Sequence, residues 1–126
     1  MSYTTQAMTD KVLVLGVDGF EPSLAKQFMD EGRMPALKQF VQRGAARADL
    51  VLLGAMPTVT PPMWTTLATG AYPSTHGIIS FFNPPPEKIA TSFYALDSRL
   101  CQAEPLWNVA AEAGQKTLVL HWPGSS

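Results

Sequence analysis

The sequence predicts an α/β fold, a mainly parallel sheet flanked by helices, and three observations carry the prediction. Lys11 to Val17 reads Lys-Val-Leu-Val-Leu-Gly-Val, a Val/Leu run without polar alternation, which is the composition of a strand buried on both faces. Helical segments with apolar residues one turn apart follow it, and strand-like runs recur at Ala46 to Leu53 and at Thr117 to His121. With no internal repeat, this alternation implies parallel strands joined by right-handed crossovers.

Each element has a local reason. Residues 1–10 are polar and read as a flexible terminus, without the cationic stretch and apolar run of a secretory signal. The Lys11 to Val17 strand ends at Asp18-Gly19, on the edge of the sheet where open α/β folds bind ligands. A helix from about Ser23 to Glu31 pairs Leu24 with Phe28 and stops near Gly32. A second begins at Pro35, stacks Leu37, Phe40 and Val41, and ends at Gly44. Together they are expected to cover one face of the sheet. The Ala46 to Leu53 run is the second strand. Thr60, a preferred N-cap, precedes Pro61 at a preferred first helical position, so a helix is expected from Thr60 to about Gly70. Residues 72–77 read as a loop leading into the apolar Ile78 to Phe82 run. Glu104-Pro105 opens a last helix with Leu106, Val109, Ala110 and Ala113 on its face, closed by Gly114, and Thr117 to His121 is the third strand.

Composition narrows the function. In 126 residues there is room for one core, and 46% apolar against 15% charged residues is the balance of a packed protein. A net charge of −1 disfavours nucleic acid and anionic membranes as partners. No run reaches the ~20 apolar residues of a membrane span, and a cytoplasmic protein is expected. The single cysteine, Cys101, makes no internal disulfide and has no His or Cys at ligand spacing. Seven of the eleven prolines lie between Pro57 and Pro86, which marks a loop-rich stretch where chemistry is expected. Pro84-Pro85-Pro86 reads as a loop stiffener or, without basic residues in a P-x-x-P context, a weak docking segment.

Two residues stand out on physical grounds. Asp18 is either a turn residue of an Asp-Gly pair or a carboxylate that needs a metal, a donor or solvent to stay charged beside a buried strand. Thr60 is either a plain helix cap or a hydroxyl placed at a helix N-terminus, where backbone N–H groups and the dipole favour a phosphate. As a nucleophile it would need a base or a metal. His76 reads as a structural hydrogen-bonding residue and His121 as a packed or capped one. Neither the dinucleotide nor the P-loop glycine spacing occurs.

Val12 to Gly19, then Thr60-Pro61-Pro62-Met63-Trp64, then Ala68-Thr69-Gly70-Ala71-Tyr72-Pro73-Ser74-Thr75-His76-Gly77-Ile78 resemble, in order and spacing, the type I phosphodiesterase / nucleotide pyrophosphatase family of the alkaline phosphatase superfamily. Glu104-Pro105-Leu106-Trp107 and Trp122-Pro123-Gly124-Ser125 extend the resemblance. It implies an alkaline-phosphatase-like hydrolase with two zinc ions, in which Asp18 is a zinc ligand and Thr60 is both zinc ligand and nucleophile, passing through a phospho-threonine intermediate. The implied partner is a small phosphoester substrate. Met63 replaces the asparagine that in nucleotide pyrophosphatases holds a phosphate oxygen, which opens the substrate to other phosphoesters or phosphonates. The absence of a Cys-x-Pro-x-Arg signature sets the sulfatase branch aside.

Two zinc ions need on the order of eight ligand positions. After Thr60 the remaining candidates, His76, His121, Glu87, Asp97, Glu104 and Glu112, are not at ligand spacing. Residues 11–126 are therefore expected to be the N-terminal part of the hydrolase domain, with a C-terminal part completing the site. The alternative is a non-catalytic α/β module that binds phosphate or a partner through the same helix end.

Overall fold

The computed structural model describes residues 9–51, 56–83 and 93–125. Among these residues five helices lie in chain order: α1 (Pro22–Asp30), α2 (Pro35–Arg43), α3 (Thr60–Thr69), the four-residue α4 (Pro73–His76) and α5 (Leu106–Glu112). Phe82–Asn83 (β1) and Phe93–Tyr94 (β2) pair antiparallel, and a 3-10 turn occupies Ser98–Leu100.

The helices form close to where the sequence places them. Glu21 caps α1, its carboxylate accepting from the Leu24 N–H at 2.6 Å and from the Ser23 hydroxyl at 2.7 Å. Pro22, Pro35 and Pro61 stand in first turns, where a missing N–H costs nothing. Gly70 closes α3 in the left-handed region at φ 68°, its N–H bonded to the Thr66 carbonyl. Residues 72–77, expected as a loop, close into α4, with the His76 N–H on the Tyr72 carbonyl and Gly77 at φ 79°. Helices α1 and α2 pack on each other, with Lys38 of α2 reaching Asp30 of α1; within α1 Lys26 pairs with Asp30, and Arg33 of the connection lies over the Phe28 ring.

The expected parallel sheet is not formed among the described residues, which contain only the short β1–β2 pair. Lys11 to Val17 forms no strand and pairs with no other described segment, and Leu13 and Leu15 are about four-fifths exposed. Thr117 to His121 is likewise unpaired, with Leu118 and Leu120 exposed and His121 at φ 51°. In the Ala46 to Leu53 run, Leu50 adopts φ 56°, which a continuing strand does not permit, and Leu52 and Leu53 lie outside the described residues. The physical reason is that strand composition expresses fitness for a buried, pleated surface and does not create one; neighbours must supply it. The helix faces meant to cover that sheet are open in the same way, since Phe40 is 76% exposed and neither α2 nor α5 buries a residue.

The core sits instead around α3. Pro61, Pro62, Trp64, Thr65 and Ala68 are buried on this helix, and Ile78, His76 and Ala95 close over it with at most 2% exposure. Trp122 stands edge-on to Trp64, ring centroids 4.9 Å apart, and Trp107 of α5 meets Trp122 at 5.9 Å. The polyproline stretch 84–86 and Glu87 lie outside the described residues, as does most of the terminal segment expected to be flexible.

Candidate active site

Asp18 and Thr60, 42 positions apart, meet. The Thr60 hydroxyl lies 3.4 Å from Oδ1 and 3.3 Å from Oδ2 of Asp18, donating toward the carboxylate from nearly equal distances. A full hydroxyl–carboxylate hydrogen bond is shorter, about 2.5–2.7 Å, so the two groups face each other across a gap. The Asp18 carboxylate is fixed from the other side: the Trp64 indole N–H donates to Oδ1 at 3.0 Å. Asp18 is exposed and Thr60 half-buried, so a solute reaches the pair from solvent.

The local sequence explains why Thr60 points this way. The helix begins at Thr60 itself, with Val59 as the capping position and no side-chain cap. Thr60 is thus not the N-cap expected from the sequence, and its hydroxyl is left for Asp18. The helix end also differs from the expected row of free N–H groups. Pro61 and Pro62 carry no N–H, and the Met63 N–H is used by the Val59 carbonyl, which leaves the Thr60 N–H alone. An anion cradle built on helix N–H groups alone has lost most of its donors here, which weakens the metal-free phosphate-binding alternative.

The geometry suits a metal. Two oxygen ligands at about 2.0–2.2 Å from a tetrahedral zinc stand roughly 3.4 Å apart, the separation found between Asp18 and Thr60. Both are hard oxygen donors, the carboxylate already charged and the hydroxyl able to give up its proton when a cation binds its oxygen. A tetrahedral site takes four donors, of which this pair offers two. Among the described residues no group of three or more His, Cys, Asp or Glu converges.

The other candidates stand elsewhere. His76 is fully buried, its Nδ1 accepting from the Ile78 N–H at 3.1 Å and its Nε2 facing the Thr66 hydroxyl at 3.1 Å. An amide can only donate, so Nδ1 is the unprotonated nitrogen and Nε2 carries the proton to Thr66. Burial pushes the imidazole below its usual 6.5, which keeps it neutral. His121 is exposed, and the Cys101 thiol donates to the Ala103 carbonyl. Asp97 is paired to Arg99, which holds its carboxyl down at about 2. A cavity of about 460 Å³ opens against the C-terminal half of α3, between Thr65, Ile78, Gln102 and Trp107, and includes neither Asp18 nor Thr60.

The sequence over residues 12–126 matches the type I phosphodiesterase / nucleotide pyrophosphatase family. The chain belongs to that family. As a phosphodiesterase-family chain it is 28% identical, over 96% of its length, to an uncharacterized pyrophosphatase/phosphodiesterase of Schizosaccharomyces pombe, of which it spans 25%. It is 27% identical to a bis(5'-adenosyl)-triphosphatase of Xenopus laevis, covering 96% of this chain and 26% of that protein. Among solved structures it is similar to phosphonoacetate hydrolase from Sinorhizobium meliloti, with 29% identity and a TM-score of 0.58 over 77% of this chain and 22% of that one. The chain thus spans about a quarter of the length of these relatives.

Trp64 and Gly16 escaped the sequence reading. The signal for Gly16 was present, since a lone glycine inside an apolar extended run marks a close approach by another group. Nothing in the sequence pointed to an indole as the partner of Asp18.

Among the described residues no helix is long and apolar enough to cross a membrane.

Proposed function

We propose that this chain carries the nucleophile and the first metal ligand of a zinc-dependent phosphoester hydrolase of the phosphodiesterase / nucleotide pyrophosphatase type. Thr60 is the nucleophile, and Asp18 and Thr60 are metal ligands. The observation that supports this best is the opposition of the Thr60 hydroxyl and the Asp18 carboxylate at 3.3–3.4 Å, on a contact that spans 42 residues and meets solvent. Family membership supplies the reaction class.

The chain's own residues would act as follows. Thr60, on the first turn of α3, presents its oxygen in line with a phosphorus atom reached from the solvent side. Its oxygen, its proton released to solvent, bonds to phosphorus as the bond to the leaving group breaks and that group departs with the electron pair; water then cleaves the phospho-threonine, one of its protons restoring the Thr60 hydroxyl and its oxygen staying on phosphorus. Asp18 holds the hydroxyl's orientation and balances positive charge at the site. A bound zinc ion would lower the hydroxyl's pKa and offset charge on the phosphoryl oxygens. The remaining ligands would come from sequence outside residues 1–126, the C-terminal part that the partial coverage of the relatives suggests. Met63 in place of an amide side chain favours a substrate other than a nucleotide diester.

Zinc titration of the purified chain tests the ligand assignment. Weak binding is expected, lost in Asp18→Ala and weakened in Thr60→Val; equal binding by all three proteins would refute it. With zinc and bis-p-nitrophenyl phosphate, any turnover must vanish in Thr60→Ala, and turnover that survives this change refutes the nucleophile assignment.

A further inference from the structure

Asp18 stands in a turn after a segment that makes no backbone pairing among the described residues, so its main chain alone does not fix its carboxylate. What fixes it is Trp64. This indole is on α3, one turn beyond Thr60, and is 8% exposed, with Trp122 edge-on at 4.9 Å. Its N–H reaches Asp18 Oδ1 at 3.0 Å, a well-formed bond, while the Thr60 hydroxyl stands farther off. A second, separate observation concerns Gly16. A Cβ built there would fall onto the Trp64 ring at Cη2 and Cζ3, closer than real atoms approach, although Gly16 does not have the positive φ that would itself call for glycine. The segment before Asp18 therefore lies flat on the indole, and only a residue without a side chain permits that approach.

We propose that Trp64 is a positioning residue for Asp18, its indole N–H holding Oδ1 so that Oδ2 and the Thr60 hydroxyl face one metal ion, with Gly16 as the notch that seats the indole. The inference rests on the reading of Asp18 and Thr60 as metal ligands. It assigns Trp64 a part that an ordinary core tryptophan lacks, because the α3 turn that presents the nucleophile also orients the ligand opposite it. Thr60 and Asp18 are thereby referred to the same rigid helix. Partners of this kind, one bond behind a metal ligand, typically change metal affinity about 10- to 100-fold when removed.

The test combines zinc titration with the indole N–H resonances of the 126-residue chain in a nitrogen-15 proton correlation spectrum. Trp64→Phe keeps a ring against Trp122 and removes the donor; it also identifies the Trp64 resonance by its loss. Zinc affinity is expected to fall at least about tenfold in Trp64→Phe and in Gly16→Ala. The Trp64 resonance is expected to move in Asp18→Ala while those of Trp107 and Trp122 stay in place. Unchanged zinc affinity in Trp64→Phe, alongside lost affinity in Asp18→Ala, would overturn the positioning role and leave the metal reading standing. A Trp64 resonance unmoved by Asp18→Ala would also overturn it, without reference to metal. An unmodified chain that binds no zinc would overturn the metal reading, and this inference with it. Should Trp64→Phe fail to fold, Gly16→Ala carries the same comparison.

Discussion

Replacing His76 by leucine removes a buried two-sided bracket and should destabilise the chain by an amount the structure allows to be worked out. The ring joins α3, through Thr66, to the Ile78 main chain, and both His76 and Ile78 are at most 1% exposed. Without Nδ1, the Ile78 N–H is left with no acceptor in a place water does not reach, at a cost of about 1–3 kcal/mol. Thr66 is half-buried and can turn to solvent, so it adds little. The expected loss is therefore about 2 kcal/mol, a large part of a typical 5–15 kcal/mol. His76→Asn, whose side-chain oxygen can stand where Nδ1 stands, should recover roughly half of that loss. Urea denaturation followed by tryptophan emission measures both. A pH arm sharpens the experiment. The folded-state pKa lies below 6.5 while the unfolded one is near it, so the bracket's contribution is complete above about pH 6.5. As pH falls below that value the unfolded chain takes up a proton that the folded chain refuses, and stability declines by at most about 1.4 kcal/mol per pH unit until the folded ring protonates. Asp49 and Asp97, held at about 2 by Arg47 and Arg99, do not titrate in this window. Between about pH 7.5 and about pH 5.5 the native chain should lose stability that His76→Leu does not. Leucine and asparagine variants of equal stability, or parallel pH profiles for native and leucine proteins, would refute the argument.

Further outcomes follow from the same geometry. Gly70→Ala should cost about 1–2 kcal/mol by urea denaturation, because φ 68° strains an L residue although a Cβ would meet no neighbour within 4 Å. An unchanged midpoint would show that α3 does not end in this conformation. The exposed runs Lys11 to Val17 and Thr117 to His121 should bind a dye that reports apolar surface, and Leu13→Lys with Leu118→Lys should reduce that signal. A signal indifferent to both changes would place the exposed apolar surface elsewhere.

The helices were legible because their signals are local. Pro35 and Gly44, Thr60 and Gly70, and Glu104-Pro105 with Gly114 lie at or within two residues of the observed ends, and each acts through its own backbone. The strands were not legible in the same way. Val12 to Val17 has the composition of a buried strand, but hydrogen-bond partners for a strand belong to other segments, and none among the described residues supplies them. The opposition of Asp18 and Thr60 followed from motif order, whereas the Trp64 contact did not, since an indole donor on a helix face carries no periodic signature that separates it from packing. Thr60 as N-cap failed for a reason visible in hindsight. An N-cap hydroxyl at Thr60 would accept from the N–H of residue 62 or 63; Pro62 has none, and the Met63 N–H is taken by the Val59 carbonyl.

The manner in which α3 is held has a mechanical consequence. His76 grips the helix at Thr66, six residues from Thr60, a distance of roughly 9 Å along the axis. The helix is then braced near His76 as well as at its buried Pro61-Pro62 turn, with its working end at the hydroxyl. A tilt of about five degrees at the grip would swing that end by roughly 0.8 Å, close to the misplacement that costs catalysis about 10²-fold. Changes around His76, Gly70 and Ile78, none of which approaches the Asp18 carboxylate, would thus register at Thr60 as a loss of aim before they register as unfolding.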